Sequence, residues 1–181
     1  MIIGKRVRLR GIERSDLPRF VEWLNDPEVS RGLSLVIPLS TLQEEEWFDG
    51  LKKLPKEEHP LGIEVKTPDG WLLVGNISLM AIDWRNRLAE VGIFIGEKRF
   101  WNQGYGHNAM VLMLRHAFRT LGLNRVFLRV FETNPRAMHS YEKAGFVQEG
   151  RLRKAHFQDG KFVDVLLMSV LQSEWQDEDS V

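Results

Sequence analysis

The chain of 181 residues contains no cysteine. That absence excludes disulfides, thiolate metal sites and a cysteine nucleophile, and it fits a reducing compartment. Long apolar runs are missing as well. No window approaches the length needed to span a bilayer, and the opening MIIGKRVRLR holds no apolar core of signal-peptide length. A cytoplasmic protein with no membrane partner is therefore expected. Charge of one sign is not in excess, because 25 lysines and arginines face 25 aspartates and glutamates. That balance argues against nucleic-acid binding through a broad positive surface. His59, His107, His116, His139 and His156 lack H-E-x-x-H or comparable spacing, so no metal site is expected.

What is present is ordinary for a globular chain: 43% hydrophobic and 28% charged residues, without repeats or low-complexity segments. The length fits one domain, taken as residues 1–175, followed by an acidic tail, QDEDSV, that frays. RVRLRGI alternates as a first strand. Ser15 is then read as the cap of a helix carrying Leu17, Phe20, Val21 and Leu24 on one face. In STLQEEEWFDGLKKLP, Thr41 and Glu44 are spaced as a capping box. Trp47, Leu51 and Leu54 share a face with Phe48 beside it, and Pro55 stops the helix. Extended segments follow, LGIEVKT, WLLVGNISLMAID and LAEVGIFIG, the first two joined by a turn at Asp69-Gly70. A helix from about Gly104 to Leu121 leads to the strand RVFLRVF. Next comes a short helix punctuated by Asn134 as cap, Pro135 at its first position and Gly145 past its end. Two last strands flank QDGK. Hairpins demand antiparallel pairs, while the helix between VGIFIG and RVFLRVF allows a parallel crossover. The expected architecture is α/β of the α+β kind, one mixed, mostly antiparallel sheet with helices on both faces, and not a doubly wound parallel sheet.

The stretch RFWNQGYGHNAM places Gly104 and Gly106 at the start of a long helix. One reading is a tight turn and a cap. Another is a phosphate site, since glycines let a ligand approach the backbone and a helix start offers unpaired N–H groups. GYGHNA also satisfies the dinucleotide fingerprint G-x-G-x-x-A, with Glu132 where a ribose-binding acid would lie. The spacing counts against that rival, because EKRFWNQ separates Gly96 from Gly104.

EVGIFIGEKRFWNQGYGHNAM, followed by a strand and NPRAMHSYEKAGFVQEG, resembles the GNAT superfamily of acetyl-CoA-dependent N-acetyltransferases. The nearest likeness is to the Rim-type ribosomal-protein N-terminal acetyltransferases and to spermidine acetyltransferases, and it runs over nearly the whole chain. The resemblance implies a loop of pattern Arg/Gln-x-x-Gly-x-Gly/Ala whose backbone amides hold the diphosphate of coenzyme A. Gly104 and Gly106 match it and Trp101 departs from it. Backbone binding would leave the amides of Asn102, Gln103, Gly104, Tyr105, Gly106 and His107 in play whatever side chain stands at 101. Arg99, Asn102 and Gln103 are candidates for side-chain contacts, or simply solvated loop.

The implied reaction moves an acetyl group from a thioester to a primary amine. Tyr141 matches the tyrosine that protonates the departing thiolate; spacing alone would equally make it a core aromatic beside Ala137 and Ala144. Asn134, about two helical turns earlier, is a cap and a candidate cofactor contact. The main chain of Ile93, Phe94 and Ile95 is expected to pair with the pantetheine arm as an added strand, with Gly92 read as a bulge. Glu90 shares the face of Gly92 and Phe94. It is the candidate base for the amine, or else a strand-end glutamate in a salt bridge. His139 and His156 are placed as walls of the acceptor cleft. That cleft is expected between the first two helices, the loop VSRGLSLVIP and the final hairpin; the run QEEE is either an attraction for a cationic amine or a solvated face. A protein N-terminal amine is the first acceptor expected, a polyamine or amino sugar the second. A binding module holding an acyl-CoA or a dinucleotide without turnover is the other class, and a homodimer is a possible assembly.

Overall fold

A computed structural model describes residues 1–35 and 38–177. Strands β1 (Ile2–Ile3) and β2 (Val7–Gly11) precede helices α1 (Leu17–Leu24), α2 (Pro27–Ser30) and α3 (Thr41–Gly50). Strands β3 (Leu61–Thr67), β4 (Gly70–Asp83) and β5 (Leu88–Ile95) follow, then α4 (Tyr105–Arg115), β6 (Arg125–Phe131), α5 (Pro135–Lys143), β7 (Val147–Gln158) and β8 (Lys161–Leu171). The eight strands form one sheet in the order β1-β2-β3-β4-β5-β6-β8-β7. Every neighbouring pair is antiparallel except β5 and β6.

Alternation along the strands sends side chains to two different cores. Val7, Leu9, Ile63, Val65, Ile77, Leu79, Ala89, Val91, Val126 and Leu128 pack against Ala109 to Leu114 of α4, and Ile93, Ile95 and Tyr141 of α5 join them. On the opposite face Leu17, Phe20, Trp23 and Val29 pack with Leu73, Phe94, Phe48 and Trp101. Phe20 is fully buried, edge-on to Phe94 and Trp47. A phenyl ring so placed contributes roughly 2–3 kcal/mol through removal from water.

Several local readings shift. The turn into α1 is closed by Asp16, whose carboxylate accepts from the Glu13 N–H at 2.8 Å, rather than by Ser15. The capping box of α3 lies one residue earlier than Thr41 and Glu44: Ser40 accepts from the Gln43 N–H, and the Gln43 side chain accepts from the Ser40 N–H. Trp47 and Leu54 remain partly exposed while Leu51 is buried. The long helix is α-helical to Arg115 and then widens into a π turn over His116–Thr120. Asp177, read as part of the tail, is held by Arg115 and Arg119, each at 2.7 Å; the rest of the tail, 178–181, lies outside the described residues. The bulge expected at Gly92 sits instead across from Ala89, between Met80 and Asp83, where Ala81 takes φ 50°. Gly92 pairs regularly with Ser78, and a Cβ there would meet only the flexible end of Met80, Cε at 3.0 Å.

Candidate active site

The parallel pair β5–β6 is short: Leu88, Ala89 and Glu90 pair with Arg125, Val126 and Phe127, and there the ladder ends. Beyond Glu90 the strands part, leaving Val91–Ile95 of β5 with a single partner, β4. The Trp101 indole N–H, donating to the Ile95 carbonyl at 2.7 Å, holds the end of β5 on its own side of the gap. A cleft of about 1040 Å³ fills this opening, lined by Glu90 to Ile95, Asn102, Gly104 to His107, Arg129 to Phe131, Asn134 and Tyr141.

At one end of the cleft lies the glycine loop. Asn102 and Gly104 both take left-handed backbone conformations, φ 58° and 81°, just before the start of α4, whose first N–H groups have no partner within the helix. Gly104 is explained by its φ alone. Gly106 is different. Its backbone is helical, and a Cβ there would make only an ordinary 3.7 Å contact with Ile95 Cγ1. Among the described residues nothing requires glycine at 106, which fits a cradle kept clear for a ligand lying on the amides. The donor set of backbone N–H groups fits an anion, and the unladdered edge of β5 fits an amide-bearing arm. Coenzyme A combines both.

Asn134 caps α5, its side-chain oxygen accepting from the Ala137 N–H at 3.2 Å, and also lines the cleft. Tyr141, one face of α5 further on, packs 6.0 Å from Phe146 and borders the same space. Burial pushes its phenol up to about 12, with Arg136 pulling the other way, so the hydroxyl keeps its proton at neutral pH. Glu90 projects from the opposite face of the sheet, 3.6 Å from Arg129. The core aromatic and the strand-end salt bridge are thus both real, and neither removes its residue from the cleft.

Other expectations redistribute. Arg99 is exposed beside Glu97, and Gln103 donates to the Arg99 carbonyl at 2.5 Å; neither side chain lines the cleft. Tyr105 does, under the Arg6 guanidinium. Glu132, the would-be ribose ligand, is engaged by Arg151 and by the Asp164 N–H at 2.8 Å. Neither α1 nor α3 walls the cleft; the wall comes from the short α2 and from Arg31 to Ser34, while Val36 and Ile37 of the expected loop lie outside the described residues. Glu44 of the QEEE run is buried away from the cleft, where burial pushes its carboxyl up, so neither sequence reading describes it.

His156, stacked on Phe131 at 3.9 Å and 5°, and His139 do border the cleft, as does Met80. The tip of the β7–β8 hairpin reaches Arg31 on the cleft wall: Gln158 donates to the Arg31 carbonyl at 2.5 Å and Asp159 faces Arg31 at 3.5 Å. Sequence reasoning missed Arg129, Phe131 and Arg136. For the first two a signal existed, since alternation places them with Phe127 on the face opposite Val126, Leu128 and Val130.

Comparison with known proteins agrees with this geometry. The model of the acetyltransferase (GNAT) domain matches residues 6–147. The spermidine N(1)-acetyltransferase of Vibrio cholerae is 30% identical over 173 residues, 96% of this chain and 97% of that protein. YdaF of Bacillus subtilis, named for ribosomal N-acetyltransferases, is 34% identical over 117 residues, 65% of this chain and 63% of YdaF. Among solved structures, the Vibrio cholerae spermidine N-acetyltransferase in complex with CoA and spermine superposes with a TM-score of 0.84 at 28% identity, covering 94% of this chain and 98% of that one. The cleft, the amide cradle and these likenesses converge on one conclusion: the chain belongs to the GNAT acetyltransferase family and is an acetyl-CoA-dependent N-acetyltransferase.

Proposed function

We propose that the acceptor is a primary amine at the end of a polyamine. The observation that carries this reading is the likeness to spermidine acetyltransferases, which covers 93–96% of this chain and 88–98% of theirs. The cleft supports it chemically. Met80, Phe131 and the His156 ring offer apolar surface for methylene groups, and the carboxylates of Glu90 and Glu28 offer charge for ammonium groups. This replaces the protein N-terminus as first choice; that second reading keeps the support of the likeness to YdaF.

In the proposed mechanism the amide donors from Asn102 to His107 hold the diphosphate, and the free edge of Gly92 to Ile95 aligns the pantetheine arm in the gap. Asn134 flanks the arm. When bound, acetyl-CoA supplies the activated acetyl group. Glu90, reached from the open face, takes the proton of the amine, directly or through one water. The neutral nitrogen then bonds to the thioester carbon as the carbon–sulfur bond breaks, the Tyr141 phenol gives its proton to the departing sulfur, and the second proton lost by the nitrogen restores the phenol by way of solvent. A phenol raised to about 12 is protonated before each turnover, as a donor must be.

The test is acetyl transfer to spermidine, spermine, peptides with free N-termini and amino sugars, followed by thiol release. The chain contributes no thiol of its own, which keeps the readout clean. The expected result is a kcat/KM for spermidine or spermine at least about tenfold above any peptide, a difference of roughly 1.4 kcal/mol. A peptide or sugar in first place overturns the polyamine reading and leaves the transferase chemistry intact.

A further inference from the structure

Trp101 brings no charge to the start of the glycine loop, yet a cation stands over it. The Arg136 guanidinium lies 3.8 Å from the centre of the Trp101 ring, reaching from the first turn of α5 across to the loop. Arg136 lines the same cleft as Asn102, Gly104 and Gly106.

Its surroundings differ from those of three other cations near the cleft. Arg31 faces Asp159, Arg129 faces Glu90, and Lys98 is held by Asp26 and Glu28 at 2.7 and 2.6 Å. Arg136 pairs with no carboxylate among the described residues; Glu28 attracts it only from a distance. Partial burial therefore outweighs attraction and lowers the tendency of Arg136 to stay charged. The ring beneath fixes the plane of the guanidinium and covers one of its faces, while the in-plane N–H groups stay open. A planar fork with open donors beside a cradle of backbone amides suits the oxygens of a diphosphate, which it meets in pairs.

We propose that Arg136, positioned by Trp101, binds the diphosphate of coenzyme A from the α5 side while the loop amides bind it from the α4 side. The amides supply partial charges and Arg136 supplies a formal charge opposite them. The inference concerns the acetyl donor and is independent of which amine is acetylated.

The test is calorimetric titration of CoA and of 3′-dephospho-CoA into the parent protein, Arg136→Gln and Arg136→Lys, without acceptor and at two salt concentrations. Arg136→Gln is expected to weaken both ligands at least tenfold and to flatten the salt dependence, with Arg136→Lys recovering part of the loss. In steady state the KM for acetyl-CoA should rise by a similar factor, while kcat at saturation changes less than twofold. Unchanged CoA affinity in Arg136→Gln overturns the proposal. So does a loss confined to CoA and absent with dephospho-CoA, which would move Arg136 to the 3′-phosphate. A rise in the acceptor's KM alone overturns it as well. Should Arg136→Gln fold poorly by thermal melting, Arg136→Lys decides: it keeps the charge and the stem but loses the fork, so its CoA affinity must fall between parent and background.

Discussion

Glu64 and Glu90 stand on the same face of the sheet, each between two core residues, in surroundings that could hardly differ more. Around Glu64 every polar group is answered. It accepts from Arg8 and, at 2.8 Å, from Arg10, whose other nitrogens grip Asp16 at 2.7 and 2.9 Å, and Asp16 accepts in turn from the Glu13 N–H. Burial pushes the Glu64 carboxyl up, but the hydrogen bonds from Arg10 and Arg8 outweigh it and hold the group below its usual range. Around Glu90 little is answered. Its one ion-pair partner among the described residues, Arg129, is largely exposed and 3.6 Å away, and beside it the edge of β5 has no ladder toward β6 beyond Glu90. The first arrangement ties β2, β3 and the turn into α1 together. The second leaves polar groups to be satisfied by whatever enters the cleft, the condition that the base role proposed for Glu90 requires.

Tyr141→Phe breaks the open side of this contrast most severely. It should lower kcat by about 10²- to 10⁴-fold with CoA affinity nearly intact, because only the proton donor is lost. In the parent, a phenol near 12 predicts no loss of rate between pH 7 and 10 on its account, while the rate climbs as the acceptor amine deprotonates. A pH profile of kcat for both proteins checks this, and equal turnover would remove Tyr141 from the mechanism.

Glu64→Ala breaks the closed side. Two arginines then lose a buried partner, at a cost of about 3 kcal/mol. The thermal midpoint should fall by roughly 6 to 12 °C for a domain of this size. Since the native pKa of Glu64 lies below its unfolded value, the stabilisation is present above pH ~4.3 and fades as pH falls. The gap between the melting midpoints of parent and variant should accordingly narrow as pH falls below about 4.3. A gap that stays constant would mean packing, not charge, explains the loss.

Gly106→Val sharpens the comparison with the smallest step. The added Cβ has room beside Ile95, so stability should hold while the branches crowd the amide cradle. CoA affinity should drop about tenfold, close to 1.4 kcal/mol, by titration. Unchanged affinity would place the diphosphate elsewhere.

Much of this molecule is legible in the chain itself. LGIEVKT and RVFLRVF become β3 and β6 to the residue, and α5 starts and stops where Asn134, Pro135 and Gly145 say it should. Such signals are local, set by alternation, a fixed proline φ and a left-handed glycine, φ 99° at Gly145. The short α2 went unread although Asp26 and Pro27 mark its start, because four residues carry too little periodicity. The capping box of α3 slipped by one position because Ser40 and Thr41 are both competent caps.

The amino-acid order thus determined the elements, the glycine loop and the tyrosine that a thioester reaction would use. The folded structure alone decided where β5 and β6 part company, that Glu90 faces the gap beside Arg129, and that Arg136 crosses to Trp101. Those depend on contacts between segments distant in sequence, whose geometry is fixed only when both cores close on the sheet.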